Sequence, residues 1–102
     1  MMGNVMDTAM NEETRKEILE LCGQAAPYGA GIPVLKAALR RSDRVMTDQE
    51  LLTQVSYLEG KGLVKVEKVE NRRLDIHRRI VFLTPEGMDY LEGNGPDIVG
   101  VG

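Results

Sequence analysis

The chain is poor in the residues that mark most specialised chemistries. Among its 102 residues there is one cysteine, one histidine and no tryptophan, with three Tyr and one Phe as the only aromatics. A single thiol, Cys22, excludes an internal disulfide and leaves too few sulfur ligands for a structural zinc site. It reads as a small buried hydrophobe. The one histidine, His77, lies far from Cys22 in sequence, so neither a nucleophile–base pair nor a His/Cys metal set can be assembled. Acids such as Glu12, Glu13 and Glu17 fall on a helix surface without pairing into a catalytic site. Gly60-Lys61-Gly62 lacks the long glycine-spaced lead-in and the following Ser or Thr of a phosphate loop. No enzymatic activity, metal or cofactor is expected. There is no run of about 18 apolar residues, so no membrane span is expected. The opening MMGNVMDTAM lacks the basic-then-apolar order of a signal peptide, and a reducing cytoplasm is the expected compartment.

What is present is enough for one domain. At 42% hydrophobic the chain can form a core, built from Leu, Ile, Val, Met and Ala because aromatics are scarce. The net charge of −3 is unevenly spread. Residues 1–35 carry five acids and two bases, and residues 80–102 carry four acids and no base. Residues 36–79 carry eleven bases against seven acids. The basic excess therefore sits in the middle, against acidic ends.

The order of elements follows from periodicity and punctuation. Residues 1–10 are Met-rich and aperiodic and read as a loose arm. A first helix is predicted over about Glu12–Ala25, capped by Asn11, with Ile18, Leu21, Cys22 and Ala25 facing the core. Pro27-Tyr28-Gly29-Ala30-Gly31 marks a turn. Pro33 opens a second helix to about Arg41 that buries Ile32, Leu35 and Leu39. Thr47-Asp48-Gln49-Glu50 is a capping box for a third helix over about Asp48–Glu59, with Leu51, Val55 and Leu58 as its buried stripe and Gly60 and Gly62 as its stop. Leu63–Val69 alternates as a strand, Glu70–His77 forms a tip, and Arg78–Leu83 returns as a strand apolar on both faces. Thr84 and Pro85 start a last helix to about Glu92 that buries Met88 and Leu91. Gly93-Asn94-Gly95-Pro96 stops it. The expected organisation is an arm at 1–10, a folded domain at 11–93 and a flexible tail at 94–102.

Helix, helix, helix, hairpin, helix is an α+β arrangement: a helix-turn-helix core of three helices, a two-stranded wing and a C-terminal helix. In such a fold the third helix enters the major groove of DNA. Its face opposite the buried stripe carries Gln49, Thr53 and Ser56, flanked by Leu52 and Tyr57. Gln suits adenine, Ser and Thr suit either base type, and Tyr suits phosphate or stacking. The stronger signal is the hairpin tip, where Arg72, Arg73, Arg78 and Arg79, with His77, surround one acid, Asp75. The planar fork of Arg matches phosphate. Arg40, Arg41 and Arg44, before the third helix, form a second basic group expected to flank the same groove. Lys61, Lys65 and Lys68 read as plain solvated charges. Asp48 and Glu50, at the start of the third helix, oppose close approach to phosphate.

Leu58–Val64 (LEGKGLV), Leu83–Gly87 (LTPEG) and the following Tyr90-Leu91 resemble the heart of winged-helix regulators of the MarR and ArsR type. More narrowly, most of the chain is similar to a small winged-helix family carried by Mu-like transposable bacteriophages and prophages. The matching residues are Thr14-Arg15, Ile18-Leu19, Val34-Leu35, Ala38-Leu39, Thr47-Asp48-Gln49, Tyr57-Leu58-Glu59, Gly62-Leu63-Val64 and the closing Val-Gly-Val-Gly. Two departures are the longer, more basic wing and the acidic start of the third helix. The resemblance implies a winged helix-turn-helix; the basic wing beside the polar third helix points to a double-stranded DNA-binding protein that serves transcription regulation, and a homodimer would suit two half-sites. The alternative reading is a winged-helix adaptor that binds a protein partner rather than DNA.

Overall fold

The computed structural model describes residues 5–94, 98, 100 and 101. Parts of the expected arm and tail, residues 1–4, 95–97, 99 and 102, lie outside the described residues. The elements run α1 (Val5–Ala25), β1 (Ala30–Gly31), α2 (Ile32–Arg41), α3 (Asp48–Gly60), β2 (Val64–Asn71), β3 (Ile76–Leu83) and α4 (Pro85–Leu91). The strands form one antiparallel sheet in the order β1-β3-β2.

The core lies where the three helices meet the sheet. Ile18, Leu19 and Cys22 come from α1, Leu35 and Leu39 from α2, and Leu51, Val55 and Leu58 from α3. Val64 and Val81 cover them from the sheet. Each fully buried Leu or Ile contributes about 1.5–3 kcal/mol of transfer free energy. The predicted stripes of α2 and α3 are the observed ones. In α1, Leu19 is buried and Leu21 only half-buried, because the packed face is centred nearer Cys22 than the spacing of Leu21 implied.

The sequence signals for helix ends are met at α3 and α4. Thr47 Oγ1 accepts from the Glu50 amide at 3.1 Å, and Glu50 Oε1 accepts from the Thr47 amide at 2.9 Å. At the other end Gly62 adopts φ +76°, and the amides of Gly62 and Leu63 bond back to the Glu59 and Leu58 carbonyls, a left-handed cap that suits glycine. Thr84 caps α4 by accepting from the Gly87 amide at 3.0 Å, and donates its hydroxyl proton to the Gly62 carbonyl at 2.6 Å.

Five expectations are corrected. Helix α1 begins at Val5 rather than beyond a cap at Asn11, so residues 5–10 of the expected arm are helical. Asn11 sits inside the helix, and its Oδ1 accepts from Gln54 of α3 at 3.0 Å instead of serving local amides. The Tyr28–Gly31 segment turns and then pairs: Ala30 lies opposite Val81 and Gly31 opposite Ile80. Met88 is exposed, because α4 approaches the sheet through Gly87. A Cβ there would land on the Leu63 carbonyl oxygen. The tail is also anchored: Val101 is buried, Tyr90 Oη donates to its carbonyl at 2.9 Å, and Arg15 Nη1 donates to the Gly100 carbonyl at 2.9 Å.

Candidate nucleic-acid interface

Helix α3 presents Gln49, Ser56 and Thr53 on its exposed side, away from Leu51, Val55 and Leu58. The Thr53 hydroxyl donates to the Gln49 carbonyl at 2.9 Å. Its donor is spent within the helix, and its oxygen lone pairs face outward as acceptors. Ser56 and Gln49 complete a narrow polar strip.

Tyr57 does not belong to this strip. It is half-buried on the flank that faces α1 and the tail. The Arg15 guanidinium stacks on its ring at 3.7 Å from the centroid, and the Lys61 ammonium lies 5.4 Å away. Expected among the residues that contact DNA, Tyr57 has its ring engaged within the chain. Helical spacing places residue 57 at the margin of the polar face, and only the packed tail decides which side of that margin it joins.

Both acids at the start of α3 are engaged within the chain. Asp48 pairs with Lys36 of α2 at 2.9 Å. The Glu50 carboxylate is held below its ordinary pKa by accepting from the Thr47 backbone amide within the capping box. Both acids are committed to organising the helix–turn–helix.

The hairpin expected as the wing is β2–β3. Its register places Lys68 opposite Arg79, Val69 opposite Arg78 and Glu70 opposite His77. The tip is built by Asn71, whose Oδ1 accepts from the Leu74 amide at 3.2 Å, and by Asp75, which takes φ +52°. Asp75 Oδ1 is 3.2 Å from His77 Nε2, and Lys65 pairs with Glu67 at 3.0 Å. Arg72, Arg73, Arg78 and Arg79 are all exposed, and among the described residues no ion pair engages any of them. They do not form one cluster. Arg72 and Arg73 crown the tip, while Arg78 and Arg79, being adjacent in a strand, project to opposite faces.

The second basic group divides. Arg44 is withdrawn: it donates to Glu17 at 2.9 Å and to Glu13 at 3.0 Å, which pins the α2–α3 connection to α1. Those two carboxylates raise its already high pKa. Expected at the DNA backbone, Arg44 is engaged within the chain instead. Arg40 and Arg41 are exposed in the last turn of α2. The first turn of that helix, not the last, lies beside the wing, so these two do not flank the wing groove.

That groove, of about 760 Å³, runs between the wing, the start of α2 and the start of α3. Arg79 and Lys68 line it from the wing, Pro33 and Val34 from α2, Leu52 from α3, and the highly exposed Tyr28 stands at its rim. The sequence expectation for Lys68, a plain solvated charge, misses this position. Strand parity with Val64 and Val66 was the signal that placed it on the inner face. Tyr28 was hidden inside a turn motif.

Elsewhere, burial pushes the Cys22 thiol up to about 12, so it stays protonated and unreactive. Among the described residues no three His, Cys, Asp or Glu side chains gather as a metal-holding group, and no helix is long and apolar enough to cross a membrane.

Compared with known proteins, the chain matches no family model and no curated protein. Among solved structures it is similar to a PadR-like transcription factor from Bacteroides fragilis. The likeness has a TM-score of 0.63 at 21% identity and covers 88% of this chain and 84% of that one. It shows a shared fold, which in the described residues of this chain is four helices and a three-stranded antiparallel sheet, similar to a PadR-like winged helix.

Proposed function

We propose that this winged-helix chain is a DNA-binding transcriptional regulator whose wing supplies most of the affinity. The observation that carries the reading is the set of four exposed wing arginines, unengaged by any ion pair among the described residues, beside an exposed Gln49–Thr53–Ser56 strip on α3. The likeness to a transcription factor supports it at the level of fold. The arginines take phosphate oxygens and fix the position of the protein on the duplex. The polar strip lies in the major groove and supplies a modest reading of bases. A pair of copies places two such strips on half-sites one helical turn apart.

Fluorescence anisotropy with duplex DNA tests the reading, at about 50 mM and 200 mM salt. Each phosphate contact contributes close to −0.9 to the slope of log K against log salt. Replacing Arg72, Arg73, Arg78 and Arg79 together with Ala is expected to lower affinity and flatten that slope by about 2–4. Replacing Gln49 and Ser56 with Ala is expected to reduce discrimination between duplexes and leave the slope unchanged. Absence of binding at the lower salt refutes the proposal.

A further inference from the structure

Strand β3 loses its outer neighbour halfway along. β1 pairs only with Ile80 and Val81, and the chain then leaves as α2. Residues Ile76–Arg79 are bonded to β2 on one side. On the other side no strand accompanies them among the described residues. This free edge is one wall of the groove described above, which also contains Pro33, Val34, Lys68 and Tyr28.

An unpaired strand edge offers a row of alternating N–H donors and C=O acceptors to any extended chain. The charges around it select which chain. Arg78 and Arg79 lie on the edge itself, and Lys68 stands opposite Arg79. These cations repel the same edge of a second copy and attract carboxylates. Of the acids in the groove, Asp48 is neutralised by Lys36 at 2.9 Å. Glu70 lies opposite His77, toward the tip. The positive part of the edge is thus the part nearest β1. Beside it, Val34 and Tyr28 expose apolar surface, at 63% and 83% exposure, with no apolar cover.

We propose that the Ile76–Arg79 edge is a docking site for an extended acidic segment of a partner protein, which adds to the sheet in line with β1. Four residues of edge span about 13 Å, enough for four or five residues of peptide. Backbone bonds to the edge supply attachment, and alternate side chains supply selection. Carboxylates at every second position face the groove, where they meet Arg79 and Lys68 beside Val34 and Tyr28, and the intervening side chains point to the opposite face. This partner is distinct from nucleic acid, and the site operates whether or not the chain binds DNA.

The test is an NMR amide titration of the whole chain, without DNA, using the peptide acetyl-Val-Glu-Val-Glu-Val-Glu-amide. Two further peptides accompany it. One carries N-methyl groups on alternate residues, which keeps the charges and removes the donors. The other has Lys in place of each Glu. The expected result is a saturable shift of the amides of His77–Ile80 and Gly31 with the first peptide only. No saturable shift up to about 2 mM, a range that includes bindings as weak as about −4 kcal/mol, overturns the proposal. An equal response to the N-methylated peptide also overturns it, because the attraction is then one of charge alone. Shifts confined to α3 or to the tip do the same.

Discussion

Arg15→Ala is expected to destabilise the fold more than its place on a helix surface implies. The guanidinium joins three elements. It donates to Gln54 Oε1 at 2.7 Å and to the Gly100 carbonyl at 2.9 Å, and it stacks on Tyr57 at 3.7 Å. Hydrogen bonds from a charged donor are worth about 1.5–3 kcal/mol each when buried. Stacking on an aromatic face adds about 0.5–2 kcal/mol. Arg15 is only half-buried, so water offsets much of each term, and the net loss comes to about 2 kcal/mol. Truncation also removes the side chain over which the tail folds, so Val101 loses part of its cover. For a domain of this size that loss lowers Tm by roughly 8–16 °C. Urea unfolding followed by circular dichroism measures it directly. Arg15→Lys keeps the charge but loses the fork, and is expected to recover less than half of the loss. A double-mutant cycle with Tyr57→Leu should give a coupling of about 0.5–1.5 kcal/mol. A change below about 0.5 kcal/mol for Arg15→Ala, well under the terms summed here, refutes the reasoning and returns Tyr57 to the candidates for DNA contact.

Other outcomes follow from the same geometry. Gly87→Ala is expected to cost about 1–3 kcal/mol, measured by urea unfolding, because the added methyl meets the Leu63 carbonyl and has no room to relax. Cys22 is expected to resist a thiol reagent in the native protein and to react at once in denaturant, since its pKa is pushed up to about 12 by burial. The Glu50 carboxylate is held below its ordinary pKa, so the stability it contributes is present above the ordinary carboxylate range and is lost as pH falls through the lower folded value. The stability gap between the native chain and Glu50→Gln should accordingly narrow between pH 7 and pH 3 in parallel thermal melts. A gap independent of pH counts against the capping box as described.

What was legible in the sequence was whatever is decided locally. The stripes of α2 and α3, the Thr47 box, the Gly62 cap and the Thr84 cap each depend on residues within one or two turns of each other, and each is found as predicted. What was not legible depends on partners far along the chain. Asn11 has the composition of a cap, but its side chain bonds Gln54, 43 residues away. Arg44 looks like one member of a basic run until Glu13 and Glu17 of α1 meet it. β1 is two residues long, too short for any periodicity, and exists only because β3 passes beside it. The tail carries no helical or strand pattern, yet Tyr90 and Arg15 hold it. The candidate site divides the same way. The exposed wing arginines are visible as a run of charge, whereas the groove requires the packing of the hairpin against α2 and α3.

The register of β2 on β3 has a consequence for how the wing assembles. Read along β3, both faces present the same order, an arginine followed by apolar residues: Arg79 and Val81 on one face, Arg78, Ile80 and Phe82 on the other. A slip of one residue would normally exchange core for surface and be rejected at once. Here it exchanges one apolar side chain for another, Ile80 or Phe82 for the buried Val81, so polarity along the strand discriminates weakly between two alignments and size does more. The decision is made at the ends of the hairpin, by the Asn71 and Asp75 turn at the tip and by Thr84 tied to Gly62 at the base. The wing is a ribbon clamped at both ends, and these clamps, with the pairing of β1 to Ile80 and Val81, hold Arg79 on the face of Val81 and Arg78 on the other.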